Sequence, residues 1–275
     1  MGIGHLAWKG FIRLALGLSL AAAEPAPLRI GVAPHTSARV ILELYQPLRT
    51  HLEKALARPV EILTAPDFTE FARRGLAQEY DLAITTGHQA RLFQADAGYL
   101  PLLTYKADFR AVAMVATKGK VKAVRDLKGT TAIGLSPTSL VTLWGQHWLK
   151  AQHLAEVPVR YVSAADSVAQ LLLAGEGSAG FVSLANFQKL PPEVQAGLRI
   201  LAESQPMAGR VYVLNARNAP QKARIDAALW AFAASREGGA YFEANKLEGY
   251  RKLKPGELKA MDPYAAEVRA TLKAP

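Results

Sequence analysis

The chain has 275 residues, half of them hydrophobic, with a formal net charge of +10 and no cysteine. This length is enough for two cores of ordinary size, and the lack of thiols excludes disulfides, thiolate metal sites, a cysteine nucleophile and a lipid-modified N-terminal cysteine. The positive charge favours anionic partners. The basic residues are scattered and lack the interleaved aromatics of a nucleic-acid groove, so we expect no nucleic-acid partner.

Residues 1–23 have the pattern of a secretory signal peptide. Lys9 and Arg13 precede the uncharged run "LALGLSLAAA", which ends in small residues before Glu24. The run is too short to cross a bilayer, and its last three alanines supply an A-x-A cleavage site. We predict cleavage after Ala23, and we expect a mature protein that is soluble outside the cytoplasm and not inserted in the membrane.

From Leu28 onward, short β-type runs alternate with segments of helical spacing, which predicts α/β architecture. The runs are "LRIGVA", "VEILT", "YDLAITT" and "YLPLLTY", followed by "RAVAMVAT". The first helix is predicted from an apolar stripe whose members recur at helical spacing: Val40, Ile41, Leu44, Leu48, Leu52 and Leu56. Pro47 lies inside this stripe and is expected to kink or restart the helix.

The alternation begins again after "KGKVKAVRDLKG", which predicts a second lobe. It continues with "TTAIGL", a helix from Thr138, "PVRYV", a helix around "SVAQLLLAG", and "AGFVSL". A further strand, "RVYVLN", and the helix "QKARIDAALWAFAAS" follow. We predict two lobes, each a mostly parallel sheet flanked by helices, with a ligand cleft between them. Lobe 1 comprises residues 24–110 and 208–275, and lobe 2 comprises residues 111–207 with the hinge crossovers.

Three strand-to-helix turns are rich in hydroxyl or imidazole groups, at the strand ends where open α/β sheets bind ligands. The candidate residues of these turns are His35, Thr36, Thr85, Thr86, His88, Ser136, Thr138 and Ser139. A helix N-terminus has free N–H groups and a partial positive charge, and hydroxyls add further donors for an oxyanion. The alternative is structural, because Ser and Thr are preferred N-caps and both histidines are compatible with capping or surface positions.

Motifs of other functions fail on order or spacing. "GEGSAG" at residues 175–180 matches a dinucleotide fingerprint, but a helical pattern precedes it and a strand pattern follows, so we interpret it as a helix C-cap and turn. His147 and His153 are six residues apart on a predicted helix and so lie on different faces; we predict no metal and no cofactor. No nucleophile has a sequence-local base, so we expect a binding protein rather than an enzyme, with a secreted α/β hydrolase or transferase as the rival.

Four segments resemble the phosphate/phosphite/phosphonate-binding proteins of ABC transporters, within the type 2 periplasmic binding protein superfamily. They are "RIGVAPHTSARVILELYQPLRTHLEKALARPVEILTAPDFTEF", "YDLAITTGHQARLFQADAGYLPLL", "VRDLKGTTAIGLSPTSL" and "LLLAGEGSAGFVS". The resemblance implies an oxyanion between the lobes, held near Ser136 to Ser139 and approached by the turn Thr85 to His88. It also brings Ser183 into the expected site, since members of the family tend to place an acid near this position.

This sequence departs from the family at positions that bear on the ligand. The window "VSAADSV" lacks the usual histidine, "GSA" at residues 177–179 replaces V-D-A, and the acid near Ser183 is missing. The missing acid argues against an aminoalkyl phosphonate, so we expect phosphate, phosphite or a simple phosphonate. The resemblance implies a periplasmic binding protein that serves an inner-membrane permease with its ATPase, or alternatively presents its ligand to a membrane signalling receptor, and we expect it to be a monomer.

Overall fold

The computed structural model describes Met1 and residues 25–273. The predicted signal peptide, apart from Met1, and its cleavage site lie outside the described residues. None of the described helices combines the length and the apolar character that a membrane crossing requires.

Eleven strands lie within the described residues, and the central ones are buried on both faces. They are β1 Leu28–Val32, β2 Val60–Leu63, β3 Leu82–Thr86, β4 Leu100–Tyr105, β5 Ala111–Ala116, β6 Ala132–Gly134, β7 Val159–Tyr161, β8 Ala179–Ser183, β9 Leu198–Glu203, β10 Arg210–Leu214 and β11 Tyr250–Arg251. Every residue of β3 and of β8 is buried, as expected for strands with helices on both faces of the sheet.

Ten α-helices connect or flank these strands in the described part of the chain. They are α1 Ala38–Leu56, α2 Phe68–Leu76, α3 Gly87–Ala97, α4 Leu140–Ala151, α5 Ala165–Leu173, α6 Leu184–Gln188, α7 Pro192–Ala196, α8 Lys222–Ala234, α9 Arg236–Ala244 and α10 Asp262–Lys273. The "GEGSAG" segment begins just after α5, where Gly175 adopts φ +76, and leads into β8. It therefore ends a helix and does not open one, as predicted.

Helix α1 follows its predicted stripe with two differences. The buried positions are Ile41, Tyr45, Leu48, Leu52 and Leu56. Val40 is 43% exposed, so its predicted place on the stripe is wrong, and Tyr45 lies on the buried face instead. Pro47 does not restart the helix. The buried contacts of Tyr45 and Leu48 on either side of the proline offset the loss of one backbone hydrogen bond.

The strands form two sheets, which define lobe 1 and lobe 2. The lobe 1 sheet has the order β11-β4-β10-β3-β1-β2, and the lobe 2 sheet has the order β7-β6-β8-β5-β9. β1 is parallel to β2 and β3, and β6 is parallel to β7 and β8. β10 and β5 are each inserted antiparallel to their neighbours. The predicted two-lobed α/β fold is confirmed.

Two crossovers join the lobes, and they lie side by side. The first runs from β4 to β5 and the second from β9 to β10. Phe109 and Met207 form an isolated antiparallel bridge between them, in which the Met207 N–H donates to the Phe109 carbonyl at 2.9 Å. The Ala111 N–H donates to the Ser204 hydroxyl, also at 2.9 Å. Each crossover thus delivers one antiparallel strand into the middle of a sheet.

Three hydrophobic clusters form the cores of the two lobes. In lobe 1, one cluster lies between the sheet and helices α1, α8 and α9, and a second lies between the sheet and helices α2, α3 and α10. The third cluster packs the lobe 2 sheet against α4 and α5. Leu143 of α4 belongs to the second lobe 1 cluster, so α4 also contacts lobe 1. These layers leave the carboxyl ends of the parallel strands of both sheets facing each other.

Candidate functional site

A cavity of about 140 Å³ lies between the lobes, and we call it the inter-lobe cavity. Lobe 1 contributes residues that follow β1, the last residues of β3 and the first residue of β10, among them Ala33, His35, Thr85, Thr86 and Arg210. Lobe 2 contributes the start of α4 and the end of β8 with α6, among them Ser139, Leu140, Val141, Ser183 and Asn186. Pockets for drug-sized ligands span roughly 300–1,000 Å³, so this cavity suits a smaller molecule.

The hydroxyl turn, residues 136–139, connects β6 to α4. Thr138 is fully buried, and its Oγ1 lies 3.0 Å from the Thr69 Oγ1 of α2 and 3.3 Å from the Ser136 Oγ. Ser139 lines the inter-lobe cavity as the N-cap of α4, and within the described chain its hydroxyl makes no capping hydrogen bond. Of the three predicted hydroxyls, the structure therefore brings only that of Ser139 to the cavity wall.

The N-terminus of α4 opens onto the same wall. The first α-helical hydrogen bond of this 12-residue helix runs from the Leu143 N–H to the Ser139 carbonyl at 3.0 Å. The N–H groups of Leu140 and Val141 precede that bond, and both residues line the cavity. Unpaired N–H groups and the helix dipole together favour an anion at this position.

On the lobe 1 side, Thr85 and Thr86 lie at the carboxyl end of β3. The Thr85 hydroxyl donates to the Gln89 Oε1 at 3.0 Å, and the bond is buried. The Thr86 hydroxyl is also buried but has no hydrogen-bond partner within residues 25–273. Ser183 lies at the opposite wall, where its hydroxyl accepts the Asn186 N–H at 3.1 Å and caps α6. Among the described residues, Thr86 therefore has no partner at all, and Ser183, whose hydroxyl only accepts, also has its proton free to donate.

His35 lines the cavity in a defined tautomer, while its neighbour Thr36 is exposed outside the lining. The His35 Nδ1 lies 2.8 Å from the Ala33 carbonyl. Because a carbonyl only accepts, Nδ1 carries the proton, and Nε2 is buried without a partner among the described residues. Burial, followed by the positive charge of Arg210, lowers the pKa of His35 well below its usual value. The neutral ring thus has an acceptor lone pair at Nε2.

His88 lies behind the cavity wall, where it is fully buried. Its Nε2–H donates to the Thr138 carbonyl at 2.9 Å, which ties α3 of lobe 1 to the hydroxyl turn of lobe 2. Burial lowers the pKa of His88 to about 4, although the bond to Thr138 acts in the opposite direction. The structure gives His88 a contact with the turn, and its predicted contact with a ligand stays a prediction.

Arg210 is a site residue that the sequence analysis missed. It opens β10, pairs in register with Thr86 and lines the cavity. In the part of the chain that the structure describes, no carboxylate forms an ion pair with its guanidinium. A half-buried arginine without an anionic partner is costly in an empty site and favourable once an anion binds.

Two lysines also line the cavity, and neither was predicted. Lys189 follows α6 and Lys246 follows α9. Partial burial, then the like charges of Arg210 and Lys246, lower the pKa of Lys189. Asp108 is the one acid among the described lining residues, and its Oδ2 lies 3.9 Å from the Arg110 Nη2. Within residues 25–273, the lining therefore has three cationic side chains and a single carboxylate.

The family model for "ABC transporter, phosphonate, periplasmic substrate-binding protein" matches residues 30–258. The matched segment includes both crossovers, the hydroxyl turn and Arg210. The chain belongs to this family. The resemblance inferred from the sequence is confirmed, and the family is one of periplasmic transport components rather than enzymes. No curated protein sequence matches the chain.

Solved structures with low sequence identity share the fold. XAC2383 from Xanthomonas citri, bound to ATP, is 18% identical with a TM-score of 0.76, covering 90% of this chain and 99% of that one. PhnD1 from Prochlorococcus marinus, in complex with methylphosphonate, is 12% identical with a TM-score of 0.77 over 88% and 98% of the two chains. The aliphatic sulphonate binding protein SsuA from Escherichia coli is 19% identical with a TM-score of 0.59 over 90% and 83%. The ligands of these proteins differ, so the shared fold leaves the ligand of this chain to its own residues.

Proposed function

We propose that the protein captures a small phosphorus oxyanion (phosphate, phosphite or a simple phosphonate) in the inter-lobe cavity and delivers it to an ABC permease. The observation that carries this proposal is the N-terminus of α4, where the hydroxyl of Ser139 and the N–H groups of Leu140 and Val141 meet the cavity. Three donors on one helix end are suited to the oxygens of a tetrahedral anion.

Lobe 1 supplies the opposing donors. Arg210 and the Thr86 hydroxyl line the cavity from β10 and β3, across from Ser139 of lobe 2. An anion held by both walls is bound more tightly when the lobes are closed than when they are apart. Binding therefore shifts the protein towards the closed state, which is the state that a permease distinguishes from the empty one.

His35 favours phosphorus over sulfur in the oxyanion. Its Nδ1–H is committed to the Ala33 carbonyl, so the neutral ring has only an acceptor at Nε2. A hydrogenphosphate or hydrogenphosphonate has an O–H to donate to that lone pair, whereas a sulfonate has none at neutral pH. A sulfonate oxygen at the same position faces the lone pair without a hydrogen bond.

We propose that lobe 1 comprises residues 24–110 and 208–275 and that lobe 2 comprises residues 111–207. Sheet membership supports this division, since β1–β4, β10 and β11 form one sheet and β5–β9 form the other. The hinge of the proposal lies at the two crossovers, where Phe109 and Met207 pair. Rotation about adjacent crossovers is a common mode of domain closure.

Export of the precursor belongs to the same proposal. Residues 1–23 act as a signal peptide that is cleaved after Ala23, and the mature monomer serves an inner-membrane permease and its ATPase. The support is the charged start, short apolar run and small residues of this segment. N-terminal sequencing of protein from the periplasm should begin at Glu24. A periplasmic chain that begins at Met1 contradicts the cleavage.

Calorimetric titration tests the ligand and the site together. Phosphate, phosphite and methylphosphonate are titrated into the wild-type protein, with methanesulfonate as the probe that lacks an ionisable O–H. At least one phosphorus oxyanion should bind at least about tenfold more tightly than methanesulfonate, because that probe cannot donate to His35. Ser139→Ala and the double variant Thr138→Ala/Ser139→Ala should each weaken the best ligand, the double variant by at least about tenfold.

The control is Thr117→Ala/Ser178→Ala, which removes two hydroxyls at the ends of β5 and β8 away from the cavity. Its affinity should match the wild type within twofold. Thermal unfolding without ligand checks that each variant is folded. If none of the phosphorus oxyanions binds, the proposed function is wrong; if the Thr138/Ser139 variant binds as tightly as the wild type, the hydroxyl turn is a helix cap only.

A further inference from the structure

The cationic lining exceeds what one small oxyanion requires. Arg210, Lys189 and Lys246 line the inter-lobe cavity, and Asp108 is the only carboxylate in the lining among the residues that the structure describes. The donors at the N-terminus of α4, with Arg210 and the Thr86 hydroxyl on the opposite wall, already provide for one tetrahedral anion without using Lys189 or Lys246. Lys189 and Lys246 are exposed residues of the lining, so solvent screens their mutual repulsion, and their charge favours a further negative group on a bound ligand.

These cations enter from three separate parts of the chain. Arg210 begins β10 of lobe 1, Lys189 follows α6 of lobe 2, and Lys246 lies between α9 and β11 with a φ of 53°. The Leu247 N–H donates to the Phe242 carbonyl at 2.9 Å, so this positive φ belongs to the left-handed turn that ends α9 and fixes where Lys246 leaves the helix. Each of Arg210 and Lys246 also depresses the pKa of Lys189, which indicates that the three charges act on the same space.

We propose that the ligand carries a second anionic group, a carboxylate attached to the carbon skeleton of a phosphonate or phosphate. The phosphorus group lies between the N-terminus of α4 and Arg210, and the carboxylate lies against Lys189 and Lys246. This inference rests on the proposed function and adds the class of ligand. A carboxylate in place of an amine fits the absence of a second acid in the lining, and the small cavity limits the ligand to a short skeleton.

Three phosphonates of similar size distinguish an effect of the second charge from an effect of ligand size. Phosphonoacetate carries a phosphonate and a carboxylate, and acetonylphosphonate has the same shape with a neutral methyl ketone in place of the carboxylate. 2-Aminoethylphosphonate carries a cation instead. Titrated into the wild-type protein, phosphonoacetate should bind at least about tenfold more tightly than acetonylphosphonate, and 2-aminoethylphosphonate should bind most weakly of the three.

The variant that tests the cationic group is Lys189→Gln/Lys246→Gln. It should weaken phosphonoacetate by about tenfold and leave acetonylphosphonate within twofold of the wild type. The matched control, Lys118→Gln/Lys128→Gln, removes the same charge from exposed lysines beyond the far end of β5 and before β6. It should change neither affinity more than twofold.

The outcomes distinguish this inference from the function on which it rests. If acetonylphosphonate binds as tightly as phosphonoacetate, the second anionic site is wrong and oxyanion capture stands. The same holds if the Lys189/Lys246 variant weakens both probes equally. If none of the three phosphonates binds and none of the simple oxyanions binds, both proposals fail.

Discussion

β10 has an arginine at its first residue and another just beyond its end, and their surroundings are opposite. Arg217 follows the strand by three residues, and its guanidinium donates to the Asp81 Oδ1 from Nη2 at 2.7 Å and from Nε at 3.0 Å. Arg210 begins the strand at the inter-lobe cavity, where no carboxylate is paired with it among residues 25–273. Arg217, beyond one end of β10, thus forms a structural ion pair, whereas Arg210, at the other end, has no paired carboxylate in the described chain.

The difference lies in what satisfies each charge. Asp81 is 7% exposed and also accepts from the Arg29 N–H at 2.9 Å and from the Asn218 amide at 3.0 Å. The charge at that end of β10 is satisfied by the chain itself. Arg210 lies near neutral tyrosines and the like charge of Lys189, and no carboxylate is paired with it in the described chain. An arginine in a cavity without a paired carboxylate among residues 25–273 supports the proposal that an anion binds there.

The largest expected effect is on ligand affinity. Arg210→Gln should weaken binding of the best phosphorus oxyanion by about a hundredfold, because the guanidinium donates two charge-assisted hydrogen bonds worth roughly 1.5 kcal/mol each. Calorimetric titration measures this loss. Stability without ligand should be unchanged or slightly higher, because the variant relieves repulsion with Lys189. A variant that binds as the wild type does, or that unfolds more easily when empty, makes Arg210 structural.

Arg217→Gln should have the opposite effects. Its loss leaves a mostly buried Asp81 with fewer donors, which should lower the free energy of unfolding by about 2 kcal/mol. Affinity for the same oxyanion should stay within twofold. Urea denaturation gives the first quantity and titration the second. In an Asp81→Asn background the same substitution should cost less than in the wild type, and an equal cost in both backgrounds contradicts the pairing.

The α/β alternation and the hydroxyl turn could be predicted from the sequence, because each depends on residues close together in the chain. The strand "TTAIGL", the turn and the following helix have the expected order, with Ser139 at the cavity. The place of Thr138 could not be predicted. Its hydroxyl bonds to Thr69, which is 69 residues away and belongs to the other lobe.

The cationic lining could not be predicted from the sequence, for the same reason. Arg210 is one charged residue before an apolar run, and nothing local distinguishes it from Arg217. Its significance comes from the antiparallel register of β10, which places it beside Thr86 at the carboxyl end of β3. Lys189 and Lys246 join it from opposite lobes only in the folded chain. The one available signal was that "RVYVLN" begins with a cation directly after the second crossover.

The smallest expected effect is a loss of folding stability in acid, and the two ends of β10 should differ in it. At the far end, burial alone raises the pKa of Asp81, but hydrogen bonds from Arg29, Asn218 and Arg217 outweigh it, so the net pKa is lowered and the pair survives mild acid. At the cavity end, burial lowers the pKa of His88 to about 4, below the unfolded value of about 6.5.

As the pH falls below about 6.5, the unfolded chain takes up a proton at His88 before the folded chain does, so the stability contributed by the neutral ring is lost between about pH 6.5 and 4. Between about pH 7.5 and 5.5 the wild type should therefore lose about 1 kcal/mol more stability than His88→Gln, which cannot titrate. Urea denaturation of both proteins across this range measures the difference. Arg217→Gln should parallel the wild type over the same range, because Asp81 stays ionised throughout. If the stability curves of the wild type and His88→Gln are parallel, His88 is not held neutral against the Thr138 carbonyl. In that case the contact between the lobes at His88 is not the one that acid destabilises first.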